Sequence, residues 1–326
     1  MIIDCHGHVV PQAWLDEVQA RPGDFPSVKV MAEGGGRPRF SFAHSTETRP
    51  VMPRLSSGSE RFDWMQAQGI ERQVCGGWLD AFGYELPPSE GLEWARTINR
   101  HLRQAADADN RLVPLATLPL QDGQLAATVL KEAMAAGFPG VMIGTQPLGD
   151  GSALDDPTLD PFWQAASELG AVVFIHPVYD VTDRRVLAYD MVNAVARLND
   201  TTTAVARLLY SGHVLKYEGA KIVVACAGAA LPYCLGRLIR NTEIHPGAYA
   251  DPREGFRRLY FDSIVFETDG LEFLAKKVGA DRIMLGSDWP FPIGDMTPRK
   301  VVEASGLDAA AKARILGQNA ADLFRL

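Results

Sequence analysis

Two histidines one glycine apart, His6 and His8, end the apolar opening stub Ile2-Ile3-Asp4-Cys5. Imidazoles at that spacing chelate one ion only if the backbone between them curls, and Gly7 removes the side chain that would obstruct the curl. Surface histidine pairs carry the same letters, so the motif needs company before it means metal. Company is there: further along, apolar runs end repeatedly in a polar or metal-binding residue, Thr145 in GVMIGT, His176 in FIHP, Cys226 in VVACAG and Asp288 in MLGSD.

Bringing such residues together requires a regular frame. From about Arg61 the chain alternates between short β-branched runs and amphipathic stretches of helical length, which predicts a parallel sheet with crossover helices. Seven runs read as strands, over 71–77, 113–119, 140–145, 171–177, 221–228, 259–263 and 282–288, and the opening stub makes eight. Helical patterns lie between them, as in GLEWARTINRHLRQAADA, QLAATVLKEAMAAG, PFWQAASELG and LEFLAKKVG, the last three ending in a glycine suited to a helix stop. Eight β/α units without a Gly-x-Gly-x-x-Gly fingerprint favour a distorted (β/α)8 TIM barrel over a dinucleotide-binding fold. The whole chain, 1–326, reads as one such domain. A segment rich in Gly, Pro and Ser, about 11–60, reads as an irregular insertion after the first strand.

Chemistry in a barrel of this type sits where the strands end. His6 and His8 follow strand one, His176 strand five and Asp288 strand eight, so three imidazoles and a carboxylate converge on one rim. That is a ligand set for a catalytic zinc or similar divalent ion with a position left for water. Each member also has a plainer explanation. His176 would serve as a core histidine, and Asp288 as a turn residue ahead of Pro290 and Pro292. His44, His101 and His245 read as structural, and His213 is marginal.

Composition narrows the partners. A formal charge of −8 without a Lys/Arg block disfavours nucleic acid, and no apolar run is long enough to span a bilayer. The N-terminus lacks the pattern of a secretory signal, which points to the cytoplasm. Cys5, Cys75, Cys226 and Cys234 are too scattered for a zinc finger and too few to staple the chain, so free thiols are expected. A small molecule is the expected partner.

The HGH opening, the stretch LATLPLQDGQLAATVLKEAMAAGFPGVMIGT, FIHP, PYCLGRL and the ending GSDWPFP together resemble the amidohydrolase superfamily. Within it they are similar to the branch of 2-amino-3-carboxymuconate-6-semialdehyde decarboxylase, which also holds γ-resorcylate decarboxylase-like enzymes, a hydratase and a carbon–carbon hydrolase. The likeness covers the first residues and 113 to the end and is thin between roughly 11 and 110. It implies one divalent metal, usually zinc with manganese also accepted, held by His6, His8, His176 and Asp288. It also implies an oligomer, at least a homodimer, in which Arg237 of PYCLGRL reaches a neighbouring subunit's site to bind a substrate carboxylate. Arg49 and Arg54 are weaker candidates for that task.

One departure stands out. Where the branch has a histidine on strand six, this chain has Cys226-Ala227-Gly228-Ala229. A cysteine there could be a thiolate base, a soft ligand, a nucleophile or inert packing. The resemblance implies nonoxidative decarboxylation of a carboxylated aromatic or dienoic ring-cleavage product, in which Asp288 or the metal-bound water would relay the proton; Cys226, standing where the branch has its histidine, is the further acid/base candidate. The rivals are a metal-dependent hydrolase or hydratase of such a product and a noncatalytic ligand-binding barrel.

Overall fold

The computed structural model describes residues 1–32, 37–43, 45, 47–149, 151–178 and 183–326. All eight expected runs form strands: β1 (Ile3–His8), then, after the antiparallel pair β2 (Val28–Met31) and β3 (Arg39–Phe42), β4 (Arg72–Gly76) and β5 (Leu112–Pro114). β6 (Gly140–Gly144), β7 (Val172–His176), β8 (Lys221–Val224), β9 (Tyr260–Asp262) and β10 (Ile283–Met284) follow. They pair in parallel as β1-β4-β5 and β6-β7-β8-β9-β10. A parallel bridge between Ala116 and Val141 joins β5 to β6, and another between Gly7 and Trp289 joins β1 to the chain beyond β10. The eight parallel strands therefore follow one another around a ring, a (β/α)8 barrel.

Strand sequences explain why both faces are buried. β6 and β7 are buried at every position, and successive side chains alternate between two cores. Val141, Ile143, Val173 and Ile175 pack outward with the helices, whereas Met142, Val172 and Phe174 pack inward with Ile3, Val74, Val223 and Met284. Crossover helices include Pro88–Ala108, Gly123–Ala135, Asp160–Leu169, Arg197–Tyr210, Leu231–Ile244 and Thr268–Val278. The three glycines read as helix stops, Gly137, Gly170 and Gly279, all take positive φ (85°, 61° and 87°). A side chain there would clash with its own backbone.

The insertion is less irregular than its composition suggests. Helix Gln12–Ala20 buries Trp14, Leu15 and Val18, and β2 and β3 form a hairpin-like pair. Trp14, Phe40 and Phe42 surround Trp94 of the helix Pro88–Ala108, with ring centroids 5.2, 5.9 and 5.6 Å away. His101 on the same helix meets Glu17 at 2.8 Å, a structural role as expected. His44 lies outside the described residues. No described helix is long and apolar enough to cross a membrane, and the four cysteines are free thiols.

Candidate metal centre

The metal-binding atoms of His6, His8, His176 and Asp288 lie within 4.8 Å of one another. Two strands and one turn bring them there. His6 and His8 end β1, His176 ends β7, and Asp288 follows β10, where its φ of +60° turns the carboxylate toward the histidines. Backbone bonds hold Asp288 against β1, its N–H donating to the His6 carbonyl at 2.8 Å while the His8 N–H donates to the Trp289 carbonyl at 2.8 Å.

Gly7 serves this arrangement differently from the sequence-based expectation. Its φ is not left-handed. A Cβ at this position would sit 2.7 Å from the Gln73 amide, so glycine is required by the close approach of Gln73 rather than by a curl. The β1–β4 register shifts between Asp4 and Gly7, which is the irregularity that lets both histidines face the centre.

Each imidazole has its Nδ1 opposite an acceptor. His6 Nδ1 meets Asp262 Oδ2 at 2.7 Å, His8 Nδ1 the Gly77 carbonyl at 3.0 Å and His176 Nδ1 the Pro177 carbonyl at 2.9 Å. Those acceptors assign the proton to Nδ1 and leave each Nε2 with a lone pair. The lone pairs then face one another: His8 Nε2 lies 3.3 Å from His6 Nε2 and 2.9 Å from Asp288 Oδ1. Asp288 Oδ1 is buried and accepts no hydrogen bond. Electron-rich atoms packed this closely repel unless a cation sits among them, so the donor set fits a divalent ion.

Electrostatics around the centre agree. Burial pushes His8 down and His176 well down, keeping both neutral. Burial acts the same way on His6, yet the bond to Asp262 and the charges of Asp288 and Asp262 outweigh it and raise that imidazole.

Sequence reasoning missed Asp262. Fully buried at the end of β9, it accepts from His6 Nδ1 and from the N–H groups of Cys226 (2.9 Å), Ala227 (2.6 Å) and Ile264 (3.2 Å). One carboxylate therefore orients a metal-binding imidazole and clamps the turn after β8. That turn needs clamping, because Cys226, Ala227 and Ala229 all have φ between 53° and 55°, a region costing about 1–2 kcal/mol per non-glycine residue. The available signal was a lone acid ending the apolar run LYFDS.

Cys226 lies beside the centre, outside the four-residue group. Burial, then the charges of Asp262 and Asp288, push its thiol well above the ordinary value, so these surroundings oppose the thiolate expected near a cation. With His176 and Asp288 it lines a cavity of about 540 Å³. Ile264, Phe266, Phe273, Leu274 and Ile293 give that cavity an apolar wall, and Asn193 and Arg197 a polar one. Arg237 is exposed on the helix Leu231–Ile244 and does not line it. Arg49 and Arg54 pair with Asp80 (3.0 Å) and Glu60 (3.1 Å). Thr145 hydrogen-bonds to Asp200, and His213 contacts Ser211 (2.8 Å) and Asp160 (3.4 Å). His245 ends an exposed helix.

Fold and site together define a (β/α)8 barrel with a His₃Asp centre at its carboxyl rim. The chain belongs to the amidohydrolase family, whose model matches residues 3–326. It is 26% identical over 341 residues to 2-amino-3-carboxymuconate-6-semialdehyde decarboxylase from Dictyostelium discoideum, covering 99% of this chain and 91% of that protein. Among solved structures, 5-carboxyvanillate decarboxylase from Sphingomonas paucimobilis superposes with a TM-score of 0.82 at 23% identity, covering 100% of this chain and 99% of that one. A dihydroxybenzoic acid decarboxylase from Polaromonas sp. JS666, with bound manganese and 2-nitroresorcinol, gives a TM-score of 0.78 at 23% identity, covering 100% and 97%.

The centre predicts close to one equivalent of divalent metal per chain by elemental analysis of protein purified without added metal. His6→Ala and Asp288→Ala should lose it. Asp262→Asn, which removes the charge behind His6 and turns one of two accepting oxygens into a donor, should weaken metal affinity about 10–100-fold. Full metal content in the first two variants would show the site to be misassigned.

Proposed function

We propose that the chain is a metal-dependent nonoxidative decarboxylase of a small carboxylated aromatic or dienoic acid. The observation that carries this reading is the meeting of four unprotonated ligand atoms beside a cavity with one apolar wall. Support comes from the relatives, which are named as decarboxylases of such acids. His6, His8, His176 and Asp288 would hold the ion. Three imidazoles and a carboxylate match zinc's usual ligands, and the manganese bound by the Polaromonas enzyme makes that ion the alternative. A bound divalent ion would act as a Lewis acid toward a substrate oxygen.

The remaining work falls to the chain's own side chains. Phe266, Phe273 and Leu274 line the space for a ring or diene and offer it apolar contact. Asp262 keeps His6 in one orientation. When the bond to the carboxylate carbon breaks, its electron pair stays on the substrate carbon and carbon dioxide leaves. A proton must then reach that carbon, and Cys226 Sγ–H on the cavity lining is the donor we assign. The thiolate recovers its proton from solvent. Asp288, as a ligand, steadies the centre through the step.

Arg237 we assign to a neighbouring subunit. It is exposed and does not line its own cavity, and Tyr233, one turn earlier on the same helix, 83% exposed at the cavity mouth, presents aromatic surface for a second copy to cover. The protein would then be at least a homodimer.

Product analysis with hydroxybenzoates, carboxyvanillate and muconate semialdehydes on metal-loaded protein should detect carbon dioxide from at least one acid. Hydrated or hydrolysed product without carbon dioxide would replace this reading with a hydrolase or hydratase. Cys226→Ser should cost about two to four powers of ten in turnover, as for loss of a general acid or base. Near-normal turnover with unchanged metal would reduce the residue to packing. Sedimentation should find a dimer or larger, and an active monomer would exclude the cross-subunit role of Arg237.

A further inference from the structure

Arg197 opens the helix Arg197–Tyr210, directly after the π-helical turn Val192–Ala196. Such a turn inserts an extra residue per hydrogen-bonded ring and is common where a helix re-aims a side chain at a site. Among the described residues lining the cavity, Arg197 is the only lysine or arginine. Its guanidinium is held from two sides: Nη2 donates to the Pro177 carbonyl at 2.9 Å and Nη1 to Asn193 Oδ1 at 3.1 Å. The same Pro177 carbonyl accepts from His176 Nδ1. A rigidly held cation thus shares a cavity with the metal-binding group and with a wall of Ile264, Phe266 and Phe273.

Resting on the decarboxylase reading, we propose that Arg197 is a specificity-determining residue that binds, within its own subunit, a carboxylate the substrate keeps. The substrate class is then a diacid, one carboxylate lost and the other held by the guanidinium fork. Charge logic separates the two groups. A guanidinium on the departing carboxylate would stabilise the charged ground state over the neutral carbon dioxide being formed, which slows the reaction. On a retained carboxylate it contributes equally before and during the step, and so tightens binding without cost to turnover.

Binding of isophthalate, its monoamide and benzoate to the metal-loaded protein, measured calorimetrically, tests this directly. Wild type should prefer isophthalate over the monoamide and benzoate by about tenfold or more, the scale of a charge-assisted hydrogen bond. Arg197→Gln should abolish that preference, and Arg197→Lys, which keeps charge without the fork, should keep part of it. A residue that merely braces Pro177 and His176 would change metal content or weaken all three ligands alike, leaving the preference intact. That result, no preference in wild type, or a preference lost in Arg237→Gln and kept in Arg197→Gln overturns the proposal. Should Arg197→Gln fail to fold, an undiminished preference in Arg197→Lys overturns it equally, and partial loss supports it. An Arg197-dependent diacid preference without carbon dioxide from any tested acid would instead sink the decarboxylase reading and leave the binding assignment standing.

Discussion

Closure of the barrel and construction of the metal centre are the same event, because both occur at the seam where the last strand returns to the first. The Cys5 N–H donates to the Leu285 carbonyl at 2.7 Å, and the reciprocal bonds of Asp288 and His8 continue the ladder. Asp4 fixes the seam from inside. Its Oδ1 accepts from the N–H groups of His6 and Ser287, both at 3.0 Å, and its Oδ2 from Ser287 Oγ at 2.5 Å and Gln73 Nε2 at 2.7 Å. Gln73 passes the polarity on, its Oε1 accepting from Arg61 Nη1 at 2.5 Å while Arg61 Nη2 donates to the His8 carbonyl at 2.6 Å. Arg61, itself buried, also lies 4.2 Å over the Trp289 ring. A buried carboxyl and a buried guanidinium are thus linked through one amide, and the hydrogen bonds each makes offset the cost of its burial.

How far the sequence discloses this depends on whether a residue's signal is local. His6, His8, His176 and Asp288 each end an apolar run, so strand periodicity and the rule that barrels place chemistry at strand ends suffice to bring them together. The eight strands were legible for the same reason. The helix Gln12–Ala20 was not, because Gly and Pro around it dominate the composition while its stability comes from Trp14 meeting Trp94, about eighty residues away. Asp262 sat inside a recognised strand, yet its importance lies in three backbone N–H groups and an imidazole contributed by other elements. Arg197 was hidden by a π-helical turn, which shifts the helical period and blurs the pattern that marks a helix. Cys226 was placed beside the rim, but its protonation could not be read, since burial and two carboxylates, all tertiary, oppose the thiolate.

The cysteine also changes where positive charge sits around the cavity. A histidine at the end of strand six, as the resemblance implies for related decarboxylases, would bring an imidazole able to carry charge next to Asp262 and Asp288. The thiol carries none, and Asp262 spends its acceptor capacity on His6 and on the backbone of the turn. The cation among the described lining residues is instead Arg197, which belongs to the helix after β7. An imidazole can bind and also transfer a proton; a guanidinium only binds. On the roles proposed for Arg197 and Cys226, moving the charge from one to the other would separate recognition, by a guanidinium braced by Asn193 and Pro177, from proton transfer by a thiol beside the metal centre.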